Sequence, residues 1–315
     1  MPLPLDPEFA AEAGALLDAI AAGSPPARGD WVTRRDLVPR LLRRLGRALP
    51  ENPSVRRTSV AFPSTAGHEC RAVWYTPDTV TGAGAALFIH GGGMILGSVD
   101  LFDRMVAKYV ADSGVPMLSV DYRLAPEHPY PAAVDDCFAA LTWLHANAER
   151  LGIDPCRIAV MGESAGGGLA AATALRSRDR GGPPIAAQLL IYPMLDDRTR
   201  TVDEQIASSA FWTYDDNATG WDAYLGALAG DDVPAEAAPG RSTDLGGLPP
   251  AYIEIGELDI FRDEAVRYSD GLWRSGVPAE LVVTPGIPHS FEWIAPGTGA
   301  AQRSFANRAR RLRSI

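Results

Sequence analysis

The sequence predicts an α/β fold: a mostly parallel eight-stranded sheet, flanked by helices and covered by a helical cap. Three observations carry this. From about residue 53 onward, short apolar runs alternate with stretches of helical period, and neighbouring parallel strands need such crossovers. Two glycine-rich motifs, at residues 90–93 and 162–166, each follow an apolar run. Sheets of this kind carry their sites at the carboxyl ends of strands. Finally, 315 residues with 46% hydrophobic and 22% charged content suit one large α/β domain.

Residues 7–22 read as a helix, because Phe9, Ala13, Leu16, Leu17 and Ile20 recur at helical spacing. A second helix is expected to start near Val38-Pro39, since proline suits a first helical turn. It places Leu41, Leu42, Leu45 and Leu49 on one side. Arg40, Arg43, Arg44 and Arg47 lie between them and read as a solvated face. Alternating segments at 55–62 and 69–76 suggest an antiparallel pair at a sheet edge. Apolar strands follow at 85–90, 117–121, 157–161, 187–192, 251–256 and 280–284, separated by helices at about 101–113, 132–151, 165–179, 262–275 and 300–313.

The segment 195–248 breaks this rhythm. It holds Phe211, Trp212, Tyr214, Trp221 and Tyr224, then a Pro/Gly/Ala-rich stretch at 233–250. We read an inserted helical piece at about 195–230, joined with residues 1–50 into a cap on a catalytic domain spanning 51–315. The competing reading is an ordinary crossover helix with buried aromatics. The last strand, 280–284, would lie at a sheet edge, and an exposed edge invites pairing, so a homodimer through it is expected.

The formal net charge of −10 argues against nucleic-acid binding, which needs a basic field. Three cysteines, Cys70, Cys137 and Cys156, fit no metal or disulfide framework. Cys137 and Cys156 read as small apolar packing residues, and a reducing, cytoplasmic setting is expected. Residues 1–8 lack the basic and apolar regions of a signal peptide. Residues 79–99 carry no Asp, Glu, Lys or Arg, but six glycines, a His and three Thr/Ser residues argue against membrane insertion.

The chemistry lies in the two glycine motifs. Gly162-Glu163-Ser164-Ala165-Gly166 sits between an apolar run and a small-residue stretch. That is strand, sharp turn and helix, a strained turn that projects the serine hydroxyl away from the sheet. His90-Gly91-Gly92-Gly93 ends another apolar run. Its backbone N–H groups can point into a cavity and bind a developing oxyanion. Alone, each motif is weak: G-x-S-x-G arises by chance, and a glycine triplet is more often a flexible turn. Together they reinforce each other.

A serine nucleophile needs a general base, and the base needs an orienting acid. Of five histidines, His68 sits in a polar turn, His128 in a proline-rich turn and His145 in a helix, while His90 opens the glycine loop and is expected to hold its shape. Only His289 follows the last strand, on a loop that can reach Ser164. The acid should follow the strand at 251–256. Asp263 and Glu264 suit a helix start, Glu257 is too close to the strand end, and Asp259 is the choice.

With these residues in place, the chain resembles the bacterial hormone-sensitive-lipase family of α/β-hydrolase carboxylesterases. The matching stretches are His90-Gly91-Gly92-Gly93, the run 121–132 with its three prolines, 162–167, 256–264 and 285–291. The resemblance covers about residues 55–295. It implies an α/β-hydrolase fold, Ser164, Asp259 and His289 as the triad, and the N–H groups of Gly92, Gly93 and Ala165 as the oxyanion hole. It implies a small-molecule ester substrate and no metal or organic cofactor. Met94, which follows the glycine loop, and the cap residues Phe211, Trp212 and Tyr214 are expected to bind substrate and to limit it to short acyl chains. Glu163 replaces a commoner Asp or Thr, Ile260-Phe261 replaces Pro-Leu, and Ser290 replaces Gly. None of these departures removes a catalytic group. The same triad also serves amidases and deacetylases. Small-molecule receptors on this scaffold replace a triad member, whereas all three are present here.

Overall fold

The computed structural model describes residues 2–21, 23, 25–80 and 82–315. Its centre is one sheet of eight strands: β1 (Arg56–Pro63), β2 (Glu69–Thr76), β3 (Ala85–Ile89), β4 (Met117–Val120), β5 (Ile158–Glu163), β6 (Ala187–Ile191), β7 (Ala251–Gly256) and β8 (Ala279–Thr284). The spatial order is β1-β2-β4-β3-β5-β6-β7-β8. β2 runs antiparallel to both neighbours, and every pairing from β4 to β8 is parallel. Burial follows topology. Every residue of β3, β4, β5 and β7 is buried, as expected for strands covered on both faces. In edge strand β1 only Phe62 is buried, and edge strand β8 is half-buried with Val283 exposed.

The helices are α1 (Pro7–Ala21), α2 (Trp31–Leu45), α3 (Asp103–Ser113), α4 (Ala132–Ala146), α5 (Ala148–Leu151), α6 (Ala165–Arg180), α7 (Tyr214–Leu225), α8 (Arg262–Arg274), α9 (Phe291–Ile294) and α10 (Gly299–Arg313). α3 packs on α10 and α4 on α6, and these pairs flank the sheet. No helix among the described residues is long and apolar enough to cross a membrane.

Two expectations need correction. α2 starts at Trp31, not near Pro39. Asp30 caps it, its side chain accepting the Thr33 N–H at 2.9 Å. Pro39 costs the helix one hydrogen bond. That loss is offset by two arginines that pin the first turns. Arg34 reaches Asp216 and the carbonyls of Pro26, Ala27 and Asp30, and Arg35 reaches Glu127 and the carbonyls of Ile95 and Ala125. The four arginines between the α2 leucines are exposed, as a solvated face should be. Cys156 is also exposed, because it sits in the turn before β5, whereas Cys137 is buried in α4. Position 22, the expected end of the first helix, lies outside the described residues.

Register sets the site. Ile89 pairs with Gly162, Glu163 with Ile191, and Gly256 with Thr284. The loops that follow β3, β5, β6, β7 and β8 therefore leave the sheet along one edge. The segment between β6 and β7 folds back over this edge, carrying α7. There α7 presses its backbone on the glycine loop: a Cβ at Gly220 would lie 2.7 Å from the Gly93 oxygen.

Candidate active site

β5 ends at Glu163 and α6 begins at Ala165, so Ser164 is the whole turn. Its backbone sits at φ 56°, ψ −122°, where strain is on the order of 1–3 kcal/mol. Three hydrogen bonds hold it there. The Ser164 N–H donates to Ile191 at 2.9 Å, and its carbonyl accepts from Gly168 at 3.1 Å and Met194 at 3.0 Å. The flanks allow no side chain: a Cβ at Gly162 would lie 2.1 Å from the Gly166 oxygen, and one at Gly166 2.0 Å from the Ile89 oxygen.

His289 arrives on the loop after β8. Its Nε2 is 3.0 Å from Ser164 Oγ and its Nδ1 is 2.6 Å from Asp259 Oδ2. Asp259 is fully buried, and its other oxygen accepts the Phe261 N–H at 2.9 Å. Tyr192 and Phe261 stand edge-on to the imidazole, with ring centroids at 4.7 and 5.3 Å, and so fix its plane. The other acids are engaged elsewhere. Glu257 accepts the Gly286 N–H, Asp263 is exposed beside Arg262, and Glu264 accepts from Leu195 and Thr199.

His90 is buried beside the glycine loop. Its Nδ1 lies 2.9 Å from the Gly91 carbonyl, and its ring stacks on Tyr122 at 4.2 Å. Tyr122 Oη donates to the His90 carbonyl at 3.0 Å. Burial pushes His90 down to about 4, so near neutral pH it is an uncharged prop.

A cavity of about 120 Å³ opens over Ser164 and His289. Leu41, Leu42 and Leu45 of α2 form one wall, and Phe211, Trp212 and Trp293 line it as well. Trp212 lies against the glycine loop: a Cβ at Gly93 would be 2.4 Å from its ring. Met94 and Tyr214 are placed elsewhere. Met94 is turned into the core, and its carbonyl accepts the Ala125 N–H. Tyr214 lines a separate polar cavity beside Ile260 and Arg262, where its hydroxyl accepts the Asp203 N–H at 3.1 Å. Trp221 and Tyr224 are buried, and Tyr224 packs on Tyr130. Ser290, which lines the cavity, takes φ 54°, a left-handed backbone that glycine adopts freely. Its side chain therefore adds strain at the mouth of the site.

Sequence reasoning missed Tyr192 and Trp293. Tyr192 directly follows β6 at the same sheet edge, so strand-end position could have flagged it. The His68, Cys70 and Asp136 side chains also converge, within 4.8 Å. They suit a metal poorly: Arg123 and Ser64 already hold Asp136, and burial pushes the Cys70 thiol up to about 12, away from a thiolate ligand.

This fold and site define the class of protein. Residues 86–293 match the family described as alpha/beta hydrolase fold. The chain is 37% identical over 298 residues to Carboxylesterase NlhH of Mycobacterium tuberculosis, covering 91% of this chain and 90% of that protein. It is 35% identical over 244 residues to Ethyl acetate hydrolase of Pseudomonas putida, covering 71% and 72%. The solved structure titled Bacterial Heroin Esterase superposes with a TM-score of 0.87 at 37% identity, covering 98% of this chain and 97% of that one. The chain belongs to the α/β-hydrolase family, in its hormone-sensitive-lipase branch of carboxylesterases. It is a carboxylic ester hydrolase.

Proposed function

We propose that the chain hydrolyses short- to medium-chain acyl esters through a covalent acyl-enzyme on Ser164. The observation that carries this is the unbroken hydrogen-bonded relay from Ser164 Oγ through His289 to buried Asp259. His289 Nε2 takes the hydroxyl proton as Ser164 attacks the ester carbonyl. Asp259 holds the proton on Nδ1 and stabilises the imidazolium. The N–H groups of Gly92, Gly93 and Ala165 receive the oxyanion. His289 then returns the proton to the departing alcohol, and a water activated by the same imidazole releases the acyl group.

Residues 1–50 and about 195–230 act as the cap. In support, α2 and Trp212 line the cavity, and Arg34 ties α2 to α7 through Asp216 at 2.6 Å. The small cavity and the likeness to a protein named ethyl acetate hydrolase support short acyl groups. The exposed Cys156 thiol suits a reducing cytoplasm. A second copy of the chain is the proposed partner at the β8 edge, where Val283, Val266 and Trp273 are exposed; a monomer mass by sedimentation would overturn that.

The deciding experiment on the reaction is Ser164→Ala. Turnover of p-nitrophenyl butyrate should fall on the order of 10⁶-fold while the far-ultraviolet spectrum stays native. A variant keeping a tenth of the activity overturns the proposal.

A further inference from the structure

Behind the nucleophile the charges do not balance. Glu163, Glu254 and Glu292 are all buried in one cluster with one guanidinium among the described residues, Arg308. Arg308 pairs with Glu254 at 2.8 Å and Glu292 at 2.5 Å. Glu163 makes no ion pair among the described residues. Its oxygens accept from Tyr109 Oη at 2.6 Å and Trp293 Nε1 at 3.0 Å. One oxygen of Glu292 is buried without a hydrogen-bond partner among the described residues. Three carboxylates against one guanidinium leave two surplus negative charges when all are ionised. Charge buried in that state is costly, and a proton is retained instead.

Glu163 is the group that gives way. Burial first, and the neighbouring Glu292 second, push it up to about 7. Burial works the same way on Glu254, but the charge and hydrogen bond of Arg308, with hydrogen bonds from Tyr252 and Ser304, together outweigh it and hold Glu254 below its ordinary range. Among the described residues, the groups that act on Glu163 are Tyr109 of α3, Tyr192 after β6, Glu292 and Trp293 of α9 and Arg308 of α10, and His289 lines the same cavity. Burial pushes both tyrosines well above their ordinary range, so they stay neutral donors.

The cluster touches the reacting groups from two sides. Glu163 is covalently joined to Ser164, and it lines the same small cavity as His289. Tyr192 donates to Glu292 at 2.7 Å while its ring stands edge-on to His289.

We propose that Glu163 is a positioning residue that sets the pH response of the site: once ionised, its carboxylate favours the imidazolium that forms when His289 takes the Ser164 proton. The inference rests on the triad reading above. Proton traffic stays simple. Glu163 releases its proton to solvent as pH rises, and no proton passes between it and the substrate. Like the opposite charge in any partly desolvated site, it acts through space, with an effect on the order of tenfold in rate.

The test is kcat and KM for p-nitrophenyl butyrate from pH 5 to 9, for the wild type, Glu163→Gln, Glu163→Asp, Glu292→Gln and Ser164→Ala. The wild type should show a step of about tenfold in kcat near pH 7, beyond the ionisation of the base. Glu163→Gln should lose that step with KM little changed, and Glu163→Asp should restore it. Glu292→Gln removes the neighbouring negative charge, so the step should move to lower pH; this variant also serves if Glu163→Gln folds poorly. A Glu163→Gln profile of wild-type shape, or an unmoved step in Glu292→Gln, overturns the inference, and an inactive Ser164→Ala would leave the triad standing. An active Ser164→Ala would overturn both.

Discussion

Asp259→Asn separates geometry from protonation, because the two side chains share a shape. Both Asp259 oxygens accept: Oδ2 from His289 Nδ1 at 2.6 Å, and Oδ1 from the Phe261 N–H at 2.9 Å. Asparagine offers one acceptor and one donor. If its NH₂ faced Phe261, two donors would meet in a fully buried place, at a cost of about 1–3 kcal/mol. The amide oxygen therefore turns to Phe261, and the NH₂ turns to His289. The ring must then present Nδ1 as acceptor and carry its proton on Nε2. That proton points at Ser164 Oγ, 3.0 Å away, and the imidazole cannot accept another. The expected loss is about 10⁴-fold in kcat, or about 5 kcal/mol of barrier. Thermal stability should change by only a few degrees, since volume is conserved. The assay is p-nitrophenyl butyrate hydrolysis beside a thermal melt. If the variant kept more than about a tenth of wild-type kcat while folded, Asp259 would not be the orienting acid.

Across p-nitrophenyl acetate, butyrate, hexanoate, octanoate and palmitate, kcat/KM should rise about fourfold per methylene that fits (~0.8 kcal/mol each) and peak at roughly two to eight carbons; a maximum at palmitate contradicts this. Trp212→Ala opens the wall over Gly93 and should move the peak to longer chains; an unmoved peak would show that Trp212 does not bound the acyl group. Glu163 binds its proton more tightly folded, at about 7, than at its ordinary value of 4.5. The folded state then holds more protons between those values, so stability is fully present below about 4.5 and falls toward pH 7, by about 3 kcal/mol. Melting of Glu163→Gln should depend less steeply on pH across that window, and an equal slope would refute the reasoning. EDTA should leave hydrolysis unchanged, and strong inhibition would point to a metal.

What was legible in the sequence, and what was not, divides by the range of the interaction. The inner strands announced themselves because burial on both faces demands continuous apolar runs, as at 85–89 and 158–161. The Ser164 turn was legible because its sterics are local: Gly162 and Gly166 approach backbone that leaves no room for a Cβ. His289 and Asp259 followed from their places after β8 and β7, which the parallel topology carries to one edge. The start of α2 was misplaced because Pro39 is a local signal, while what overrides it is remote: Arg34 is bonded to Asp216, 182 residues away. Met94 and Tyr214 were misplaced for a related reason. Each sits two residues from one that lines the cavity, Gly92 and Trp212, but the direction a side chain takes depends on its tertiary neighbours. The Met94 side chain is taken up by the hydrophobic core, and the Tyr214 hydroxyl by the Asp203 N–H.

The cluster behind Ser164 is the extreme case. Glu163 stood out in the sequence only as an unusual letter in a motif. Its partner Trp293 lies 130 residues on, and Arg308 and Glu292 are set against it by α10 and α9. No local pattern encodes a shortage of positive charge, since that is a sum over four elements brought together by folding. A candidate catalytic group can be found from its type and its place on a strand end. A group that acts through another becomes visible only when all the charges around it are counted.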